Sequence, residues 1–273
     1  MKQTNAIKTG LDADDALFGA SVETGSPALV EIYGELGFNW IWLDLEHKNP
    51  SATDSNYLEH MLRAAECSDT ELIVRVPDNN PAQIRKVLDT GVRNIIVPRV
   101  KTRDELETAI EAAYYSYDGR PGERGLSFGR TSGYGSFLSM DGDTSYHHDE
   151  DKSVLMGVLI ENETAVNNID EILDVPELGF VFPGPGDLGV SMNHTLEYGH
   201  PEVTEALTQV ETASLERDIP LLGLLGSNFP TLDDTEQAID DGYRLLGLGN
   251  EFSAVRDVFG QRLRTLTKTR LNI

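Results

Sequence analysis

Short apolar runs alternate with amphipathic segments along the whole chain. The runs are rich in β-branched and aromatic residues and are bounded by turn residues, which is typical of strands, whereas the intervening segments repeat apolar residues at helical spacing. The predicted strands are 17–22, 40–46, 71–77, 94–100, 154–161, 178–184, 219–226 and 244–249. The predicted helices are 27–36, 56–67, 81–89, 103–115, 164–173, 201–216, 231–240 and 253–266.

Eight strand–helix units in succession predict an α/β fold of the (β/α)8 TIM-barrel type, as a single domain over 1–273. Nearly continuous apolar runs such as 94–97 indicate strands buried on both faces, as in a parallel sheet covered by helices. An open doubly wound sheet is the alternative. The spacing breaks once, in an insertion at about 117–153 between strands 4 and 5. Insertions of this length are typical of lids, binding loops or oligomer contacts, and we interpret His147 and His148 there as solvated loop residues.

The charge of the chain narrows the range of partners. The sequence has 46 Asp and Glu against 22 Lys and Arg, a formal net charge of −24, and only seven of the basic residues are lysines. Such a field repels nucleic acid and anionic membranes. A dispersed acidic, lysine-poor surface favours a halophilic protein, because concentrated salt screens the self-repulsion; an ordinary acidic enzyme is the alternative.

Other features of the sequence concern its compartment. No apolar run is long enough for a membrane span, and residues 1–10 lack the apolar core of a secretory signal, so we expect a cytoplasmic protein. Cys67 is the single cysteine, which excludes an intramolecular disulfide. We predict that its thiol is buried and inert.

Charged residues follow the predicted strands where a barrel places its chemistry, at the C-terminal ends. Glu161 and Asp187 follow adjacent strands, and two carboxylates with water completing the shell suit a hard divalent cation such as Mg²⁺ or Mn²⁺. His47, beside two carboxylates at the barrel mouth, is a candidate general acid or base. The full set of strand-end residues is Asp44, Glu46, His47, Arg75, Arg99, Glu161 and Asp187.

Two familiar motifs occur in the chain without their usual context. Residues 184–189 fit G-x-G-x-x-G, yet Pro185 removes an amide donor and Asp187 puts a negative charge where a pyrophosphate would bind. We interpret this turn as part of a metal site. Residues 125–129 fit G-x-S-x-G, but no apolar strand precedes them to form a nucleophile elbow.

Several segments together resemble one family. They contain the Asp44-x-Glu46-His47 element and the Gly184-Pro-x-Asp-Leu element, and they lie at 37–47, 75–91, 95–98, 160–161 and 181–192. The chain resembles the HpcH/HpaI aldolases, which are metal-dependent class II pyruvate aldolases. The resemblance implies a TIM barrel whose last helix is exchanged between subunits, and a homo-oligomer, either a hexamer or a trimer.

The resemblance also implies the parts of a metal and substrate site. Glu161 and Asp187 correspond to ligands of a divalent cation, Mg²⁺ or Mn²⁺ first and Co²⁺ as a further option, with a 2-oxo acid completing the shell. Asp44 corresponds to a residue that supports metal-bound waters, with Glu46 beside it. The backbone of Gly186 and Asp187 corresponds to the binding site of the pyruvate carboxylate.

Three further residues are assigned catalytic roles by the same resemblance. Arg75 corresponds to the residue that meets the enolate oxygen, where a fixed cation stabilises developing charge. His47 corresponds to the general acid/base and Asp89 to the carboxylate that orients it. The implied reaction cleaves or forms a 4-hydroxy-2-oxo acid, such as a 2-keto-3-deoxy sugar acid, with pyruvate and an aldehyde as the small-molecule products.

One departure from the family pattern keeps alternatives open. Leu159 stands where the aldolases usually carry a glutamine, and leucine cannot hydrogen-bond a metal water or a substrate oxygen. In this detail the chain is closer to the acyl-CoA lyases of the same superfamily, of the malyl-CoA or citryl-CoA type. That reaction would need a basic groove for CoA phosphates, for which Arg120, Arg124 and Arg130 are the candidates. A non-catalytic barrel is the third alternative.

Overall fold

Eight parallel strands close into one barrel in which each strand pairs with its neighbours in sequence and the last strand pairs with the first. This confirms the predicted TIM barrel and excludes the open doubly wound sheet. The computed structural model describes residues 4–48, 50–51, 54–117, 119–138, 145–225 and 231–271. The strands are β1 Leu17–Ser21, β2 Trp40–Asp44, β3 Glu71–Arg75, β4 Asn94–Val97, β5 Leu155–Ile160, β6 Leu178–Pro183, β7 Leu221–Leu224 and β8 Tyr243–Asn250.

Helices surround the barrel and follow local signals in the sequence. Thr102 and Asn162 accept N-capping hydrogen bonds at the starts of two helices, and a proline opens four others, at positions 27, 81, 185 and 201. The helices are α1 Ala6–Asp12, α2 Pro27–Glu35, α3 Ser55–Cys67, α4 Pro81–Asp89, α5 Arg103–Glu111, α6 Ser145–Ser153, α7 Glu163–Asn167, α8 Ile169–Leu173, α9 Pro185–Ser191, α10 Pro201–Leu215, α11 Leu232–Asp240 and α12 Glu251–Leu271.

The buried apolar residues form two clusters. The larger cluster lies between the strands and the surrounding helices. The smaller one fills the barrel and includes Ile7 of α1, which reaches it from the N-terminal end of the strands. Asn5 fixes this helix by donating hydrogen bonds to Asn94 Oδ1 at 2.6 Å and to the Ser153 carbonyl at 2.8 Å. Helix α1 therefore closes the barrel at the N-terminal end of the strands.

Inside the barrel, glycines face large aromatic rings. A Cβ atom on Gly157 would lie 2.2 Å from the Phe180 ring, and one on Gly19 would lie 2.1 Å from the Trp40 ring. Such separations are far below van der Waals contact. The small residues are therefore required by the ring that fills the space beside each of them.

The barrel wall is least regular between β6 and β7. Among the described residues these two strands pair at a single position, Val181 with Leu221, whereas β5 and β6 pair along most of their length. We call this weakly paired boundary the β6–β7 seam. Gly223 of β7 lines the main cavity of the barrel at this seam.

The insertion between strands 4 and 5 carries a helix that its polar sequence does not predict. Residues 118 and 139–144 lie outside the described part, but α6 is helical, and its Asp151 is buried. The interpretation of the two histidines as solvated loop residues is wrong. His147 packs on the Tyr115 ring at 4.5 Å between centroids, and His148 packs on the Tyr117 ring at 4.0 Å.

The exposure of the single cysteine differs from the prediction. Cys67 ends α3 with an exposed thiol, so the prediction of a buried one is wrong. Within the described parts of the chain, the helices are too short or too polar to cross a membrane.

Candidate active site

A buried ion pair joins the ends of β2 and β3. Arg75 donates two hydrogen bonds to Asp44, from Nε at 2.9 Å and from Nη2 at 2.6 Å, and both side chains are buried. Burial alone would raise the pKa of Asp44, but the hydrogen bonds and charge of Arg75 outweigh it, so this pKa lies below its usual value. The guanidinium is thus fixed in position by a bidentate contact.

Glu46 connects this pair to the next strand and to the histidine. Its Oε2 lies 3.0 Å from Arg75 Nη1, and its Oε1 accepts a 2.6 Å hydrogen bond from Arg99 Nε. His47 is half-exposed, with Nε2 3.7 Å from Glu46 Oε2. The backbone N–H groups of Glu46 and His47 both donate to Asp44 Oδ1. Asp44 therefore holds the turn that carries the histidine as well as the arginine.

Glu161 lies just beyond β5 in a place that disfavours its charge. Its Oε1 accepts a 2.7 Å hydrogen bond from the backbone N–H of Arg99, whose φ is +61°. Burial, together with the charges of Glu46 and Asp187, raises the pKa of Glu161 to about 7 against that hydrogen bond. Asp187 lies in the first turn of α9, at the end of the adjacent strand.

This donor set fits a hard divalent cation. Burial is the main cause of the raised pKa of Glu161, and the nearby charges of Glu46 and Asp187 add to it. A divalent cation held by Glu161 and Asp187 would compensate for the buried negative charge. Carboxylate oxygens are the ligands that Mg²⁺ and Mn²⁺ prefer.

Glu161 and Asp187 face a cavity of about 810 Å³ with largely apolar walls. The Arg75 guanidinium lies 5.1 Å from the centre of the Trp42 ring, which meets Phe182 edge to face. Leu159 is buried in the same wall, so the departure from the family pattern places an apolar surface directly beside the carboxylates. Through the β6–β7 seam the cavity reaches Leu207 of α10.

Asp89 is not brought to His47 within one chain. It ends α4, which runs back toward the N-terminal end of the barrel, whereas His47 lies at the C-terminal end. Burial raises the pKa of Asp89, against the charge of Arg124. A pairing of Asp89 with His47 therefore needs a second copy of the chain.

The arginines of the insertion do not form an open basic groove. Arg124 and Arg130 are buried, and ion pairs join Arg120 to Asp151 and Glu177, Arg124 to Glu150 and Arg130 to Glu66. Their charges are matched within the chain, which weighs against a role in binding CoA phosphates.

Sequence reasoning missed the aromatic part of the site. Trp42 could have been found, since it shares the inward face of β2 with Trp40 at a spacing of two. Phe182 follows from the same argument on β6. Tyr198, in contrast, reaches the cavity from the loop between α9 and α10, and no periodicity predicts its position.

The sequence and the fold are similar to those of known proteins. The sequence model described as HpcH/HpaI aldolase/citrate lyase matches residues 18–257. A hydroxypyruvate/pyruvate aldolase of Roseobacter denitrificans is 32% identical over 73% of this chain and 74% of its own. A 5-keto-4-deoxy-D-glucarate aldolase of Klebsiella pneumoniae is 28% identical over 92% of this chain and 93% of its own.

A solved structure shows the same fold. An HpcH/HpaI aldolase/citrate lyase family protein from Burkholderia cenocepacia superposes with a TM-score of 0.86 at 26% identity, over 96% of this chain and 99% of that one. The match of the family model extends over most of the barrel. The chain therefore belongs to the HpcH/HpaI aldolase/citrate lyase family and is a lyase of the aldolase type.

Proposed function

We propose that the protein is a divalent-metal-dependent aldolase that cleaves or forms a 4-hydroxy-2-oxo acid, such as a 2-keto-3-deoxy sugar acid, giving pyruvate and an aldehyde. The observation that carries this proposal is the group of Glu161, Asp187 and Arg75 around one cavity. Two aldolase relatives, one named for pyruvate and one for a keto-deoxy sugar acid, support the substrate class.

The cation, Mg²⁺, Mn²⁺ or Co²⁺, would be held by Glu161 and Asp187. When bound, it supplies Lewis-acid stabilisation of negative charge on the 2-oxo acid. The backbone of Gly186 and Asp187 lines the same wall, where it would bind the substrate carboxylate. These residues set the position of the substrate before any bond breaks.

Arg75 stabilises the charge that appears during cleavage. As the C3–C4 bond breaks, its electron pair moves toward the oxygen at C2 and forms an enolate. Arg75 is already oriented by Asp44 and Glu46, so it meets that oxygen without reorganisation. Asp44 thus acts chiefly through Arg75 in this scheme, and only secondarily on metal-bound water.

His47 acts as the general acid/base. Its exposed ring takes the proton of the C4 hydroxyl in the cleavage direction and returns a proton to the product. Glu46 lies beside the ring within the chain. Orientation by Asp89 requires the Asp89 of another subunit, so this role is tied to assembly.

The C-terminal helix supports the proposal that the chain forms a homo-oligomer. Apolar side chains recur along one face of α12 and are exposed in the single chain: Phe252, Val255, Phe259, Leu263 and Leu266. A row of this kind is typical of a buried interface. We expect the partner to be a second copy that receives this helix in a homo-oligomer.

The test is pyruvate release from a panel of 4-hydroxy-2-oxo acids with Mn²⁺, with Mg²⁺ and then with EDTA. Wild type should release pyruvate only with metal, and Glu161→Ala should abolish the release. Glu163→Ala is the matched control, because Glu163 is an exposed carboxylate two residues away.

Three results would overturn the proposal. Release that survives EDTA would exclude metal dependence. Absence of release from every acid by folded, metal-bound protein, together with cleavage of malyl-CoA or citryl-CoA, would assign the protein to the acyl-CoA lyases. Absence of both activities would indicate a non-catalytic barrel.

A further inference from the structure

A second group of metal-ligating side chains lies outside the barrel, in the loop between α9 and α10. One ligand atom each of His194, Glu197 and His200 lies within 4.8 Å of the others. The loop is held by its own backbone: the His194 N–H donates to the Gly189 carbonyl at 2.7 Å, the Glu197 N–H to the His194 carbonyl and the His200 N–H to the Glu197 carbonyl. The three groups are therefore brought together by a folded turn.

A fourth residue orients one of the histidines. His194 Nε2 lies 2.8 Å from the Glu202 carboxylate, with the histidine side chain 19% exposed. When Nε2 donates to that carboxylate, Nδ1 carries the lone pair. A ligating histidine almost always makes such a bond with its other ring nitrogen. His194 thus has the environment of a metal ligand.

We infer that His194, Glu197 and His200 form a site for a borderline divalent cation such as Zn²⁺, Co²⁺ or Ni²⁺, with water in the remaining position. Two imidazoles and one carboxylate suit these ions, whereas Mg²⁺ prefers an all-oxygen shell. The site is therefore distinct in chemistry from the carboxylate pair of Glu161 and Asp187.

Binding requires small local changes. The two rings are stacked, with centroids 3.5 Å apart and planes 17° apart, so an ion in the plane of one ring lies outside the plane of the other. One ring must turn about its Cβ–Cγ bond. His200 Nδ1 also accepts a long 3.3 Å hydrogen bond from the Glu202 N–H, and binding through either ring nitrogen breaks it. Both changes lower the affinity for the metal ion but do not prevent binding.

The position of this site links it to the cavity. Tyr198 lies between two of the ligands in sequence and lines the cavity, and its Cε1 lies 3.9 Å from where a Cβ of Gly186 would be. A metal that joins His194 to His200 fixes the segment that carries Tyr198. Metal binding itself does not depend on the aldolase activity.

The experiment measures Zn²⁺ binding by calorimetry on untagged, full-length protein that carries Glu161→Gln and Cys67→Ser. These changes weaken the carboxylate site and remove the exposed thiol, which are the competing Zn²⁺ ligands. We expect one Zn²⁺ per chain. Adding His194→Ala or His200→Ala should abolish it, and Glu202→Gln should weaken it about tenfold.

His60→Ala is the matched control, because His60 is an exposed histidine on α3, away from the loop. It should leave Zn²⁺ binding unchanged, and circular dichroism should show all variants folded. X-ray absorption should show two imidazoles and oxygen around the zinc. Absence of stoichiometric binding, or binding that survives both loop histidine variants, would overturn the inference.

Discussion

Arg75 has a more constrained environment than any other basic side chain of the mouth. Asp44 holds it with two hydrogen bonds, Glu46 lies 3.0 Å away, and the Trp42 ring lies beneath the guanidinium. A buried cation is tolerated because two carboxylates compensate for its lost hydration. Its orientation depends on the planar fork of the guanidinium, which lysine lacks.

Replacing Arg75 with lysine should therefore impair catalysis while the metal site survives. We expect kcat to fall about 10²–10³-fold, as when one donor to a developing oxyanion is lost. Steady-state kinetics and Mn²⁺ titration check both parts. Arg103→Lys, at an exposed helical ion pair with Glu107, should change neither. An unchanged kcat in Arg75→Lys would exclude the proposed role.

At this scale the sequence predicted which residues gather at the mouth but not how they pair. Position at a strand end is a property of the chain order, so Asp44, Arg75 and Glu161 could be named in advance. That Asp44 binds Arg75, and that Arg99 bridges Glu46 and Glu161, depends on side-chain geometry across strands. The distance of Asp89 from His47 depends on which end of the barrel its helix reaches.

Among the elements, α6 contains an acid whose ionisation opposes folding. Burial raises the pKa of Asp151 to about 6, against the Tyr115 N–H and the charge of Arg120. The folded state therefore holds the proton more tightly than the unfolded state, whose pKa is near 3.8. The stability that this carboxyl contributes is present below pH 4 and is lost as pH rises through 6.

Asp151→Asn should remove this dependence. The free energy of unfolding of the variant, relative to wild type, should rise by about 1 kcal/mol between pH 5 and pH 8. Urea unfolding at both pH values measures it. Asp149→Asn, an exposed neighbour on the same helix, serves as the control and should show no such change. A constant difference across this range would show that burial does not dominate at Asp151.

The glycine–aromatic contacts of the strands lead to a second prediction at this scale. Gly157→Ala should lower the free energy of unfolding by about 1–3 kcal/mol, because the new methyl overlaps the Phe180 ring. Gly125→Ala is the matched control, since a Cβ there meets nothing within 4 Å. Equal stability of the two variants would mean that Phe180 moves aside freely.

Elements were predicted well where apolar periodicity is strong. All eight strands begin within two residues of the predicted positions, but most end early, because residues such as Glu46 leave the sheet to face the mouth. α6 was missed because its sequence is almost entirely polar and its helix depends on tertiary contacts of Tyr146 and Asp151. α9 was missed because proline and glycine dominate its first turn.

The net charge of −24 acts on the whole molecule. Like charges spread over the surface repel one another, and 1 M salt shortens the screening length from about 10 Å at 0.1 M to about 3 Å. The melting temperature should therefore rise between 0.1 M and 2 M KCl. Scanning calorimetry measures it, and a flat or falling melting temperature would remove the halophilic interpretation.

The exposed apolar face of α12 leads to a separate prediction about the oligomer. The double variant Phe259→Asp, Leu263→Asp should be monomeric where the wild type is oligomeric, because two charges would enter the apolar interface. Its activity should fall as well. Sedimentation velocity gives the mass. Gln261→Asp, which lies off the apolar face, should leave the mass unchanged. A monomeric wild type would exclude helix exchange.

The β6–β7 seam also determines how the molecule would fail. A closed barrel has no edge strands, which protects it from pairing with other chains. Here, among the described residues, one boundary pairs at a single position, with α10 packed against the β6 side. If that boundary opens, β6 and β7 become two exposed edges with free backbone donors and acceptors. The first intermolecular β-sheet in an aggregating sample would then form from these two strands.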